Sequence, residues 1–380
     1  MRALLMPLIA ISLAGCASVP MAEIPRHLFA DSLFAPPAKA PSADDIFVLD
    51  DRMRGFAETE VKKEIARNGS YLGLFETLSD ELRLDYDSVG TQTAAEAFTS
   101  RSGNCLSLVI LTAAFARHLG VPVHFQSVHG QSSWSRSGGI AFLSGHVNLK
   151  VGSRVSAAPG GRGADGLTID FFAPGSAGRF ASRPVSEETL KAMYLNNRAA
   201  EALVDGDIDA AYWWARAAIE TAPSYLVAPN TLGVIYMRRG NRRDAERAFR
   251  YVLTREPAEA KAMTNLAHVL EREGRKLEAA AWRSKLAALE PYPPFYFLDQ
   301  GQAALQRGDE ATALALFERE LKRLPYNDEV HFAIAMVDVR RGHLRQARKH
   351  LSMAQKYSTT RDRHDIYGAK LAHLKAIEAN

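Results

Sequence analysis

Residues 226–257 read LVAPNTLGVIYMRRGNRRDAERAFRYVLTREP, and this stretch decides how the second half of the chain folds. Its apolar positions recur at helical spacing on either side of Gly240, and Pro257 closes it, so it reads as two helices joined by a tight turn. Outward from it the same punctuation repeats. Pro223, Pro257, Pro291 and Pro325 are each 34 residues apart, as are Gly206, Gly240, Gly274, Gly308 and Gly342. Ala211, Ala245, Ala279, Ala313 and Ala347 keep the same period. Glycine permits the turn after the first helix, alanine lets the second helix approach closely, and proline ends the second helix.

The period resembles the tetratricopeptide repeat, with Leu232, Gly233, Tyr236, Ala245 and Phe249 as the best match to its pattern. Five repeats fill 190–358, and an amphipathic stretch at 361–378 is expected to cap the stack. Three repeats have Ala199, Ala267 and Ala335 where the family's small glycine stands. The resemblance implies an all-α solenoid whose groove, lined by the first helix of each unit, receives a peptide or protein partner. Asn230, Arg238, Arg272 and Arg340 are the groove candidates, with Gln306 interrupting the basic series. Arginine near a helix end also meets the negative end of the helix dipole, which is the stronger account of that series.

The whole chain has 380 residues, enough for two or three domains or one domain with an elongated array. With 47% hydrophobic and 24% charged residues it is neither collagen-like, wholly disordered nor a polytopic membrane protein. A net charge of +4 over this length is no nucleic-acid footprint. Two cysteines make no disulfide framework. Residues 1–16 begin with Arg2, continue through an apolar run too short to span a bilayer, and end in Leu13-Ala14-Gly15-Cys16. This resembles the lipobox of bacterial lipoproteins. It implies lipidation of Cys16, and Ala17 after it implies an outer-membrane lipoprotein facing the periplasm, held to the membrane by its N-terminal lipid only. Residues 17–43, rich in Ala, Pro and Ser, are expected to be a tether.

Residues 44–185 have a different texture. Helical stretches at 45–65 and 70–82 precede a short helix at 93–98. Asn104 can then cap a helix from Cys105 to His118, stopped at Gly120. Strand-like stretches follow at 121–128, 140–151 and 167–172, with a Gly- and Ala-rich loop at 157–166. Cys105 lies in the first turn of its helix, His146 in the second strand and Asp170 in the third. One helix followed by antiparallel strands can align a thiol, an imidazole and a carboxylate. The positive end of a helix and an adjacent imidazolium favour thiolate, the attacking species, and a carboxylate on the second ring nitrogen fixes the tautomer.

These residues resemble the transglutaminase-like superfamily of papain-like cysteine enzymes. The likeness runs through Thr91-Gln92-Thr93-Ala94, Arg101-Ser102-Gly103-Asn104-Cys105, Trp134-Ser135-Arg136, Gly145-His146-Val147-Asn148 and Ile169-Asp170-Phe171. It implies an α+β domain of that kind, with Cys105 as nucleophile, His146 as base and Asp170 as its orienter. The implied chemistry is acyl transfer through a thioester, with hydrolysis of peptide or isopeptide amides expected over crosslinking. Oxyanion donors are the Cys105 N–H and one of Gln92, Gln126 or Trp134. His118, His124 and His129 lack metal-site spacing, and neither a metal nor another cofactor is implied. The competing expectation is a non-catalytic adaptor or scaffold lipoprotein of the envelope.

Overall fold

The computed structural model describes residues 23–78, 82, 84–86, 90–137, 140–152, 166–171, 181–292, 295–358 and 361–379. Cys16 and most of the 157–166 loop lie outside them. No helix among the described residues is long and apolar enough to cross a membrane.

The first part is mixed helix and sheet. Helix α1 (Asp51–Phe56) is capped by Asp50, whose carboxylate accepts the Met53 N–H; it passes through a π-helical turn into α2 (Lys62–Asn68), and α3 (Ser70–Glu76) follows. A two-residue parallel bridge joins β1 (Asp85–Tyr86) to β2 (Ser102–Gly103). Between them α4 (Ala94–Ser100) starts in a capping box, with Thr93 and Glu96 each binding the other's backbone N–H. Helix α5 (Cys105–His118) starts as expected at Asn104, whose Oδ1 accepts the Ser107 N–H at 2.9 Å. Residues 105–116 are buried on every side of this helix, which makes it a central core helix rather than an amphipathic surface one.

Strands β3 (Val123–Ser137), β4 (Ile140–Val151), β5 (Leu167–Ile169) and β6 (Ser182–Val185) form one antiparallel sheet in the order β5-β4-β3-β6. The β3–β4 register shifts between Val128 and Ser133. Strand β6 is absent from the sequence-based expectation because Pro184 interrupts its pattern; at the sheet edge, opposite Gln126, proline costs no ladder bond on its open side.

Among the described residues the second part forms five helical hairpins: α6 (Glu187–Val204) with α7 (Ile208–Thr221), α8 (Val227–Arg239) with α9 (Arg242–Arg255), α10 (Ala260–Arg272) with α11 (Lys276–Leu289), α12 (Tyr296–Gln306) with α13 (Glu310–Arg323), and α14 (Asp328–Arg340) with α15 (Leu344–Tyr357). Helix α16 (Arg361–Ala379) packs on the last hairpin, as the capping stretch required. All five periodic glycines sit in the turn between paired helices with φ between 75° and 87°, where a β-carbon is disfavoured. The five periodic alanines are fully buried. The small residue of the first helix is matched to its partner: Gly233 faces Phe249 and Gly301 faces Phe317, whereas Ala199 and Ala335 stand in hairpins with Ala215 and Leu351.

Two expectations about domain organisation need correction. Residues 23–43 are not a free tether. Their 3-10 turns, Arg26–Leu28 and Asp31–Leu33, lie on the first two hairpins, with Leu28, Phe34 and Ala43 buried. Phe34 stacks on Tyr212 at 3.9 Å, Trp213 Nε1 donates to the Ala35 carbonyl at 2.6 Å and Arg239 donates to the Leu33 carbonyl at 2.7 Å. The aromatic and arginine side chains that bind this strap are more than 170 residues away, so its own composition could not disclose it. Nor do 44–185 and 190–358 have separate cores. A single apolar cluster runs from Leu28 through α5, the sheet and α6 to Ala279, and smaller clusters begin at Phe295 and Ala335.

Candidate functional site

The three residues expected to converge do so. His146 is held in the middle of β4, and its Nε2 lies 2.7 Å from Asp170 Oδ1, one residue past β5; the two side chains are 3% and 5% exposed. Cys105 lies close enough to the same imidazole to influence its protonation. Burial disfavours the imidazolium, but the hydrogen bond it donates to Asp170, and the influence of Cys105, outweigh it. The ring's pKa is pushed up to about 9, so His146 is protonated at neutral pH.

A fourth residue completes the group, and the sequence had assigned it no role. Asn148 donates from Nδ2 to Asp170 Oδ2 at 3.2 Å, which occupies the carboxylate's second oxygen while the first holds the imidazole. Its position two residues after His146 on a strand was the available signal, because alternate residues share a face. Among the described residues, Asn148 Oδ1 is buried without a hydrogen-bond partner.

The oxyanion candidates separate by position. Cys105, at the first position of α5, has a backbone N–H with no acceptor inside the helix. Gln92 is fixed beside that turn: its N–H donates to Ser107 Oγ at 2.8 Å, and its Oε1 accepts from Ser100 Oγ at 2.9 Å, which leaves the amide NH₂ as its donor. Gln126 stands directly opposite Asn148 and hence on the same face of the sheet as His146. Trp134 lies on β3 opposite Leu143, and its side chain is outside the described residues.

The groove candidates lie on the first helices of their hairpins. Arg238, Arg272 and Arg340 are in the last turns of α8, α10 and α14, where a cation meets the negative end of the helix dipole. Asn230 is eight residues before Arg238, about 12 Å along the helix. Its Oδ1 accepts from Asn265 Nδ2 at 3.3 Å, and it lines a cavity of about 210 Å³ with Thr189, Tyr225 and Lys261. A second cavity, of about 420 Å³, lies between the start of the strap and Tyr251 and Arg255.

The hairpins and their unbroken 34-residue period make the second part of the chain a mostly helical, tetratricopeptide-like solenoid. No family model matches the chain. It is 34% identical over 113 residues to the cellulose synthase operon protein C of Pseudomonas fluorescens (strain SBW25), a match spanning 28% of this chain and only 9% of that protein. Among solved structures it is similar to MamA, at 18% identity over 42% of this chain and 93% of that one, with a TM-score of 0.24. It is similar to pilF of Pseudomonas aeruginosa at 20% identity, covering 50% and 87%, with a TM-score of 0.28. A thermophilic TPR protein of Thermus thermophilus is 18% identical, covering 48% and 99%, with a TM-score of 0.28.

Proposed function

We propose that this chain is a protein-binding repeat scaffold that carries a transglutaminase-like cysteine acyl-transfer centre and hydrolyses peptide or isopeptide amides. The observation that carries the catalytic half is the buried His146 ring, hydrogen-bonded to Asp170 at 2.7 Å with Cys105 near enough to influence its protonation. In the proposed reaction the Cys105 sulfur, as thiolate, bonds to the amide carbonyl carbon, and the carbonyl electron pair moves to oxygen beside the Cys105 N–H. When that intermediate collapses, the C–N bond breaks and the amine leaves with the His146 proton. The neutral imidazole then takes a proton from water, the hydroxide attacks the thioester, and sulfur departs as thiolate beside a reprotonated ring. Asp170 stays ionised and holds the tautomer throughout. The repeats supply the surface that recruits a protein substrate or partner.

Anchoring at the bacterial outer membrane through a lipid on Cys16 belongs to the same proposal. Cys16→Ser should move the protein from the membrane to the soluble fraction, and unchanged partitioning removes the anchor from it. The catalytic half is tested by the rate of alkylation with iodoacetamide. A paired Cys105 reacts fast and stays fast below neutral pH, whereas the rate of free cysteine removes it.

A second reading, a non-catalytic envelope adaptor, is favoured by the depth of the thiol. Cys105 is 7% exposed. Protein binding through the repeats is common to both readings.

A further inference from the structure

Thr91 is where the repeats reach the cysteine. It is fully buried, and each of its polar groups is bound. Its side-chain Oγ1 accepts from Asn104 Nδ2 at 2.9 Å. Its backbone is held from the other side: the N–H donates to Glu201 Oε1 at 2.6 Å, and the carbonyl accepts from Arg198 Nη1 at 3.3 Å. Arg198 and Glu201 belong to α6, the first helix of the first hairpin, and stand one turn apart with 3.6 Å between their charges. Arg198 also lies over the Trp214 ring of α7 at 5.5 Å. On the cysteine side, Asn104 caps α5 through Ser107, and the Ser107 hydroxyl receives the Gln92 N–H. A continuous set of hydrogen bonds therefore runs from two repeat side chains, through one buried threonine, to the residue that precedes Cys105.

We infer that Arg198 and Glu201 are positioning residues of the cysteine centre, so that the first repeat builds the site as well as recruiting to it. This rests on the catalytic reading above and adds to it. A buried backbone N–H and C=O must be satisfied, and here the partners come from the repeat rather than from the neighbouring chain. With Glu201 removed, the Thr91 N–H loses its acceptor, the loop that holds Asn104 loosens, and the first turn of α5 loses its fixed place against His146. Misplacement on the scale of 1 Å costs about 100-fold in such chemistry, so a partial loosening should cost on the order of tenfold.

The test uses the full chain and the iodoacetamide rate at Cys105 between pH 5 and 9, with thermal unfolding recorded for each variant. Glu201→Ala and Arg198→Ala should each slow alkylation by on the order of tenfold near pH 6 and shift the profile toward that of an unpaired thiol. Glu201→Gln, which keeps an acceptor oxygen for the Thr91 N–H, should restore the wild-type rate. Glu220→Ala, which removes a carboxylate paired with Arg216 in the same hairpin, should leave the profile unchanged. Should Glu201→Ala fail to fold, Arg198→Ala, which removes a longer and more peripheral bond, decides alone. If the wild type reacts fast and both alanine variants keep its rate and profile, the inference is overturned while the catalytic reading stands. The same holds if Glu220→Ala slows the reaction as much as they do. If the wild type reacts no faster than free cysteine, the catalytic reading falls first.

Discussion

The Tyr236 hydroxyl donates a 2.7 Å hydrogen bond to the carbonyl of Leu28, 208 residues earlier in the chain. Around that bond the strap at 23–43 closes over the first two hairpins: Tyr212 donates to Asp31 and accepts the Ala30 N–H, Arg216 pairs with Asp31 at 3.0 Å, and Phe34 stacks between Tyr212 and the Arg239 guanidinium. If Cys16 carries a lipid, the folded body is fixed seven residues from it, at most about 25 Å of extended chain, rather than at the end of a long flexible tether.

Phe34→Ala is expected to lower stability by about 3 kcal/mol, since it removes a buried aromatic ring and its stacking contact with Tyr212. Chemical denaturation measures the loss. Limited proteolysis should then cut within residues 23–43 before the repeats, and an unchanged cleavage pattern would mean that the strap is not held by this ring.

Gly233→Ala tests the fit between the helices of the second hairpin. A β-carbon there would lie 2.5 Å from the Phe249 ring, so the substitution should destabilise by about 1–3 kcal/mol despite the roughly 1 kcal/mol that alanine gains in helix propensity. In a Phe249→Ala background the clash is gone, and the same substitution should become neutral or stabilising. A double-mutant cycle reads this coupling directly.

His146 gives a pH signature with a defined sign. Its folded pKa, about 9, is above the unfolded value near 6.5, so the protonated ring stabilises the fold. That contribution, about 3 kcal/mol, is complete below pH 6.5 and is lost as pH rises through 9. His146→Gln should flatten the stability profile over this window. In Cys105→Ala the influence of the sulfur is absent, and the histidine pKa followed by NMR should fall from about 9 toward 6.5; a value that stays put would separate the cysteine from the ring.

Truncation distinguishes one core from two. A chain ending at residue 186 loses α6 to α11, which share the apolar cluster containing α5 and the sheet, together with the Arg117–Glu187 and Thr91–Glu201 contacts. It should fail to fold cooperatively. A chain ending at residue 290 retains that cluster through Ala279 and loses the two smaller ones beyond it, so it should keep a cooperative transition. Thermal melts followed by circular dichroism compare the two.

The sequence alone determined every feature governed by short-range spacing. Turn glycines 34 residues apart, buried alanines at the same period and the Asn104 cap before Cys105 each follow from steric and hydrogen-bonding rules that operate within a turn or two of backbone. The order cysteine, histidine, aspartate was legible for the same reason, since helix start and strand positions can be read locally. What meets what was decided by the tertiary structure. The strap's partners, the edge strand β6, the second oxygen of Asp170 on Asn148, and the backbone of Thr91 on Glu201 all join residues separated by 22 to more than 170 positions. No local propensity encodes such pairings. Each exists because a buried polar group or apolar ring required a partner, and only the closed core brings the right one within reach.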